Sequence, residues 1–278
     1  MPGDQAETSL MEKTKSDGWD HSSREEFVRY YADKSIRPAQ LEHFRSVRNT
    51  ILRVLNLRNK AGRKYDVLDI GCNAGGQCLD WAQDGHRVYG LDINQPLLEL
   101  AKTRARESGF NIDYQLGSAT ELPWPSESMD ICMAAELLEH VAEWKVCLKA
   151  FAQVLRPGGV LFLSTSNVLC PIQREFDVPL YSWYPAPLKR RYERLAVTTR
   201  PEVANYVKYP AVNWFSAYSL GAELSRQGFR TMDRFDLIDT DNKGGTAKFA
   251  VACIRKFPPL RFLGHVCTSG TIILGIKQ

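Results

Sequence analysis

The residues best placed to do chemistry in this chain lie in the string AAELLEHV, where Glu136, Glu139 and His140 follow an apolar run. If the string starts a helix, positions i, i+3 and i+4 share one face and bring two carboxylates and an imidazole together. Imidazole titrates near working pH, so His140 could take the proton from a hydroxyl as general base. The same three groups could instead hold a hard divalent cation such as Mg²⁺, which would chelate a vicinal diol or catechol and acidify the attacking hydroxyl. In the plainest reading the run only caps a helix, and all three readings stand open on the residues alone.

A second constellation begins earlier. VLDIGCNAGGQ sets a strand directly before Gly71, Asn73 and Gly75, and a second strand ends on Asp92 in YGLDIN. Glycines let the backbone turn sharply and approach a ligand, and a carboxylate some 20 residues on suits the two hydroxyls of a ribose. That much fits any adenosine cofactor. Asp69 favours S-adenosylmethionine (SAM) over a dinucleotide, because a carboxylate two residues before the turn would repel a pyrophosphate but could anchor the ammonium of a methionine moiety. A chain ending on a strand able to pair antiparallel points the same way.

These residues need a scaffold. Short β-branched runs (YDVLDI, HRVYGLDI, NIDYQLG, MDICMAA, GVLFLST) alternate with helical stretches near 75–84, 95–108 and 144–155. That alternation predicts right-handed βαβ units and a parallel sheet. A helix near 217–227, a strand RTMDRFDLID and a final strand TIILGIKQ complete an α/β doubly wound, Rossmann-like sheet of seven strands with its last strand antiparallel. Before the sheet, apolar residues from Phe27 to Leu55 recur at helical spacing with a break at Arg37-Pro38, predicting two lid helices within 23–60. Residues 1–22 are polar and aperiodic and read as a disordered leader. The cofactor-binding domain is then 61–278, with a cap insertion at about 166–215 and a second insertion at about 240–269.

At this point the sequence resembles the class I SAM-dependent methyltransferases, most of all the UbiG-like ubiquinone-biosynthesis O-methyltransferase group. VLDIGCNAGG, YGLDIN, GSATELPWPSESMDICMAAELLEHV and VLRPGGVLFLST stand in that family's order over residues 64–166. The resemblance implies that Asp69, Gly71, Asn73 and Gly75 line the methionine side of SAM. Asp92 would take the ribose hydroxyls with Ile93 against adenine, Ser118 and Ala119 the adenine edge, and Glu136 and Leu137 the sulfonium. Arg37 or Arg45 would reach the SAM carboxylate. It also lends the metal reading its E-x-x-E-H pattern, shared with small-RNA 2′-O-methyltransferases, in which a later residue completes the ligand set; Asn213 stands where a histidine is expected. Two departures are Asn73 in place of a glycine, tolerable because asparagine visits positive φ, and Ser118 in place of an acidic residue.

Composition narrows the partners. A net charge of +4 with scattered cations gives no nucleic-acid footprint. Seven cysteines without C-x-x-C spacing suit reduced thiols rather than a disulfide frame, and the apolar runs are too short for a bilayer span, which reads as a cytoplasmic protein. Nine aromatics crowd residues 166–215, a candidate acceptor pocket or the cap's own small core. Lys189-Arg190-Arg191 reads as a solvated helix face or a phosphate contact, and the apolar and cationic stretch 240–269 as a subunit interface, a lipid-substrate contact or sheet packing. The expectation is O-methylation of a hydroxyl on a small molecule (phenol, catechol or sugar-like), with RNA ribose 2′-O-methylation or a non-catalytic SAM-binding regulator as the alternatives.

Overall fold

A computed structural model describes residues 25–56, 62–173, 175–204 and 211–278; the leader 1–22 lies outside them. Seven strands form one sheet: β1 Asp66–Ile70, β2 Arg87–Asp92, β3 Asp113–Leu116, β4 Met129–Ala135, β5 Leu155–Ser166, β6 Phe229–Asp233 and β7 Gly270–Lys277. Their order is β3-β2-β1-β4-β5-β7-β6. The first five run parallel, and β7 runs antiparallel to both β5 and β6.

All five residues of β1 are buried, as expected of a central strand covered on both faces. The chain steps outward from β1 to β2 and β3, then returns to lay β4 on the other side of β1. Where the order reverses, the loops after β1 and β4 diverge and leave a crevice at their carboxyl ends. The glycine turn and the Glu136 run are those two loops.

β7 pairs antiparallel as expected and lies inside the sheet, between β5 and β6. Its TIILGI is apolar on both faces and mostly buried, so it gains most between two neighbours, and the half-exposed β6 takes the edge. β6 is also shorter than the predicted RTMDRFDLID. Asp233 ends it by accepting the Phe235 N–H at 2.8 Å, an Asx turn that competes with pairing.

Helices α1 (Glu25–Ser35) and α2 (Pro38–Asn56) divide at the predicted break. The apolar face of α2 buries Val47, Ile51 and Leu55. Arg48 of α2 ion-pairs with Asp80 at 3.0 Å and Asp84 at 2.9 Å, tying it to α3 (Gly76–Gln83). From α4 (Gln95–Glu107), Arg104 donates to Ser35 Oγ, to the Ala32 carbonyl and to the Ala74 carbonyl, pinning α1 against the glycine turn. α5 (Trp144–Val154) leads into β5.

The cap insertion holds a helix, α6 (Ala186–Thr198), and packs its rings on one another. Phe176 stacks on Tyr181 at 4.2 Å between centroids, and Tyr181 meets Trp214 at 5.2 Å. These rings are the cap's own core rather than the lining of a pocket; Tyr206 and Tyr209 lie outside the described residues. α7 (Ala217–Arg226) precedes β6, and the second insertion folds into α8 (Gly245–Lys256) and α9 (Pro258–Val266). All seven cysteines are free, five of them buried, and among the described residues no helix is long and apolar enough to cross a membrane.

Candidate functional site

The turn after β1 takes its shape from three left-handed residues, Gly71 (φ 80°), Asn73 (φ 47°) and Gly75 (φ 74°). Asn73 meets the cost of its positive φ locally, its side-chain amide donating to the Gly71 carbonyl at 3.0 Å. Gly71 and Cys72 donate their N–H groups to the Leu91 carbonyl, closing the turn over the end of β2. Gly75 is needed for packing: a Cβ there would stand 2.4 Å from the Tyr114 hydroxyl and 2.8 Å from Ala101. Tyr114 and Ala101 come from β3 and α4, so only the folded sheet brings them to this turn.

Two carboxylates face this turn. Asp92 accepts the Asn73 N–H at 2.7 Å and the Asn94 N–H at 2.8 Å, so the turn and the carboxylate fix one another. Burial pushes Asp92 up, and the N–H groups of Asn94, Asn73 and Ile93 oppose that. Asp69 has less support. It is buried, receives the Cys78 thiol at 3.5 Å, and has no cationic partner among the described residues. Burial, with the charge of Asp92 adding to it, pushes its pKa up to about 7. An ammonium group seated against Asp69 would satisfy it.

The ends of β2 and β3 have a signature of their own. Ile93, 59% exposed, follows β2, and Leu116, 56% exposed, ends β3 beside Asp92 in the sheet register. Two bare apolar side chains at strand ends suit the faces of a flat heterocycle. Ser118 bonds to Thr120 at 2.8 Å and Ala119 is buried behind it.

Across the crevice, the AELLEH run does not begin a regular helix. Glu136 takes a left-handed backbone (φ 50°), and Leu138–His140 forms a single 3-10 turn. Glu136 is braced by β5: its N–H donates to the Ser164 carbonyl, and its carboxylate accepts the Ser164 hydroxyl, both at 2.8 Å. Leu137 faces the glycine turn, 3.3 Å from where a Gly71 Cβ would be. Glu139 is fully buried, and neither carboxylate oxygen has a hydrogen-bond partner among the described residues. Burial, then the charges of Glu136 and Glu175, hold its pKa well above the usual carboxylate range.

The unforeseen member is Glu175, from the loop after β5. Carboxylate oxygens of Glu136, Glu139 and Glu175 all lie within 4.8 Å of one another. Glu175 accepts the Ser166 hydroxyl at 2.7 Å and lies 3.7 Å from His140 Nε2. Asn213, expected as the late ligand, uses the nitrogen end of its amide to hold the turn. Its amide nitrogen donates to the carbonyls of Leu138 (3.0 Å) and Val141 (2.7 Å), buttressing the turn from outside. Arg45 also stands apart, paired with Glu42 at 3.7 Å with both side chains exposed. Tyr31 of α1 feels both sides of the crevice: burial, then Tyr30, Glu175 and Asp92, push its hydroxyl up to about 12.

Comparison with known proteins agrees with this geometry. Residues 68–163 match a family model described as a methyltransferase domain. The ubiquinone biosynthesis O-methyltransferase of Agrobacterium fabrum is 35% identical over 133 residues, 47% of this chain and 52% of that protein. The protein of the same name from a Chelativorans species is 39% identical over 101 residues, 36% and 40% of the two chains. The chain thus spans about half the length, or less, of these curated relatives. An S-adenosylmethionine-dependent methyltransferase of Mesorhizobium loti superposes with a TM-score of 0.53 at 19% identity, over 82% of this chain and 98% of that one. One from Aquifex aeolicus gives 0.52 at 15% identity, over 89% and 97%. At that identity the solved structures speak for the fold.

Proposed function

We propose that this chain, which belongs by fold and by its methyltransferase domain to the class I SAM-dependent methyltransferases, moves a methyl group from SAM to a hydroxyl of a small molecule. The observation that carries the reading is the pairing across one crevice of a cofactor-shaped wall (Asp69, the Gly71–Gly75 turn, Asp92, Ile93, Leu116) with an acid–base wall (Glu136, Glu139, His140, Glu175). The buried, cation-free Asp69 is what fits the methionine ammonium.

In this reading Asp69 holds the ammonium, Asp92 accepts both ribose hydroxyls, and Ile93 and Leu116 cover the adenine, with Ser118 and Ala119 at its edge. Leu137 and Glu136 border the sulfonium, which when bound supplies an already activated methyl. The chain need only exclude water, align the acceptor oxygen with the methyl carbon and sulfur, and remove a proton. His140 Nε2 takes that proton as the C–O bond forms, and Glu175 at 3.7 Å stabilises the resulting imidazolium. Incubation with labelled SAM and a fractionated metabolite extract, followed by mass spectrometry of what gains the label, tests the reading; SAM binding without turnover on any fraction would leave a binding protein. The names of the relatives, ubiquinone biosynthesis O-methyltransferases, support oxygen as the methylated atom.

A second reading is favoured by the Glu136–Glu139–Glu175 convergence, an all-oxygen set suited to Mg²⁺. It adds Glu175 to the expected set, with His140 alongside. The ion would supply Lewis acidity toward two neighbouring acceptor oxygens.

The state of Asp69 gives a pH signature. Its carboxyl titrates near 7 in the free protein and must be ionised to pair with an ammonium. SAM affinity is therefore full above that pH and falls as pH drops through it, by up to about tenfold per unit. Calorimetry near pH 6 in buffers of different ionisation enthalpy should show proton release, and a flat profile from about pH 6 to 8 removes Asp69 from the site.

Tyr31 supports closure of the N-terminal helices over the ligands, with the cap as the other leaf. Hydrogen exchange should slow on SAM binding in α1 and in 166–204 as well as around 69–93. Protection confined to 69–93 would leave no lid.

A further inference from the structure

We propose that α8 and α9 form a docking surface for an anionic lipid bilayer. The two helices are amphipathic with the usual polarity reversed. Three of their polar groups reach the body of the protein: Arg255 donates to the carbonyls of Phe235, Asp236 and Ile238, Arg261 pairs with Asp233 and Asp236, and buried His265 meets Asp233 at 2.9 Å. Their apolar groups face outward. In α8 only Val251 is buried, while Phe249 is 72% exposed, and Phe257, Leu260, Phe262 and Leu263 around the Pro258-Pro259 elbow are 58%, 44%, 47% and 56% exposed.

Such a face is costly in water, and short helices are not held by propensity alone. The charge pattern names the cover. Residues 242–269 contain five Lys or Arg and no Asp or Glu, in a chain whose 36 cations and 32 anions nearly balance. With Arg255 and Arg261 already bonded to the protein, exposed Lys243, Lys248 and Lys256 remain to flank the apolar face. Aromatic and aliphatic side chains rimmed by lysines match a headgroup boundary, with rings entering the acyl region and ammonium groups meeting lipid phosphates. A second copy of the chain would bring the same lysines against one another.

The face also lies on the working side of the sheet. Gly270, at the start of β7, pairs with Ser166, whose hydroxyl holds Glu175. The next residue, fully buried Asn167, clamps the carbonyls of His265 and Thr268 at 2.8 Å each. A bilayer under α8 and α9 would meet the protein beside the proposed acceptor wall, where an acceptor with an apolar tail could enter. The docking itself does not depend on methyl transfer.

Flotation of the full chain with vesicles of phosphatidylcholine, with and without phosphatidylglycerol, tests this without cofactor or acceptor. Binding should require phosphatidylglycerol and weaken with salt. Lys243→Gln, Lys248→Gln and Lys256→Gln together should lower the partition coefficient on the order of 100-fold, at about 1 kcal/mol for each cation lost. Phe249→Ser with Leu263→Ser should abolish it, and SAM binding by calorimetry should be unchanged in both variants. Absence of binding to phosphatidylglycerol vesicles, or binding that the variants retain, overturns the proposal. So does a dimer by light scattering that Phe249→Ser with Leu263→Ser dissolves, since a second copy would then be the cover.

Discussion

His140→Ala should lower turnover on the acceptor by about 10²- to 10⁴-fold, the usual loss when a positioned general base is removed, while leaving SAM affinity nearly intact. The reason is placement: His140 is about one quarter exposed, on the acceptor side of the crevice, with Glu175 behind its Nε2. If it acts as a base without metal, Glu136→Gln and Glu139→Gln cost less, and a chelator has no effect. The metal reading predicts another set of results. Glu136→Gln, Glu139→Gln and Glu175→Gln would then all damage activity, EDTA would abolish it, and Mg²⁺ would restore it. Glu139 adds a readout independent of turnover: burial and its neighbours raise its pKa well above the usual carboxylate range, and an ion would favour its ionised form, so Mg²⁺ binding would be accompanied by proton release. Full activity of His140→Ala with or without chelator would leave the turn a structural brace.

Asp92→Ala should cost SAM about 10²-fold or more in affinity. Two hydrogen bonds from ribose hydroxyls to a buried carboxylate contribute roughly 1.5–3 kcal/mol each. The substitution also strips the acceptor from the Asn73 and Asn94 N–H groups, loosening the turn itself. Asp92→Asn keeps the shape and one carbonyl oxygen, so it should fall between the two. Calorimetry on variants whose melting curves match the parent measures this, and unchanged affinity in Asp92→Ala would remove the ribose assignment.

What the sequence made legible was local. A strand, a glycine turn and a carboxylate at the end of the next strand are written within one βαβ unit, so Asp69, Gly71, Asn73, Gly75 and Asp92 were found and do meet. The strands flanking the switch point were equally plain, because central parallel strands are continuous apolar runs. Glu175 was not, since it reaches Glu139 and His140 from an aperiodic loop, and only the tertiary arrangement brings them together. Asn213 shows a chemical ambiguity that sequence does not resolve: an amide carries both donor and acceptor, and here the donor end faces the chain. The second insertion was ambiguous because periodic apolar residues are taken for a core face, and a face turned outward has the same periodicity.

The place of β7 in the sheet bears on how the chain comes off the ribosome. β5 pairs across its length with β7, Val160 with Ile276 and Ser166 with Gly270, and β6 waits for the same partner. When β1 to β5 have emerged they can assemble, but β5 then presents an apolar, unpaired edge until more than a third of the chain has followed it. Closing the sheet is therefore an insertion between two waiting strands, late and of high contact order. During that interval the nascent domain is exposed to edge-to-edge association, and chaperones or slow synthesis would act on it most strongly then.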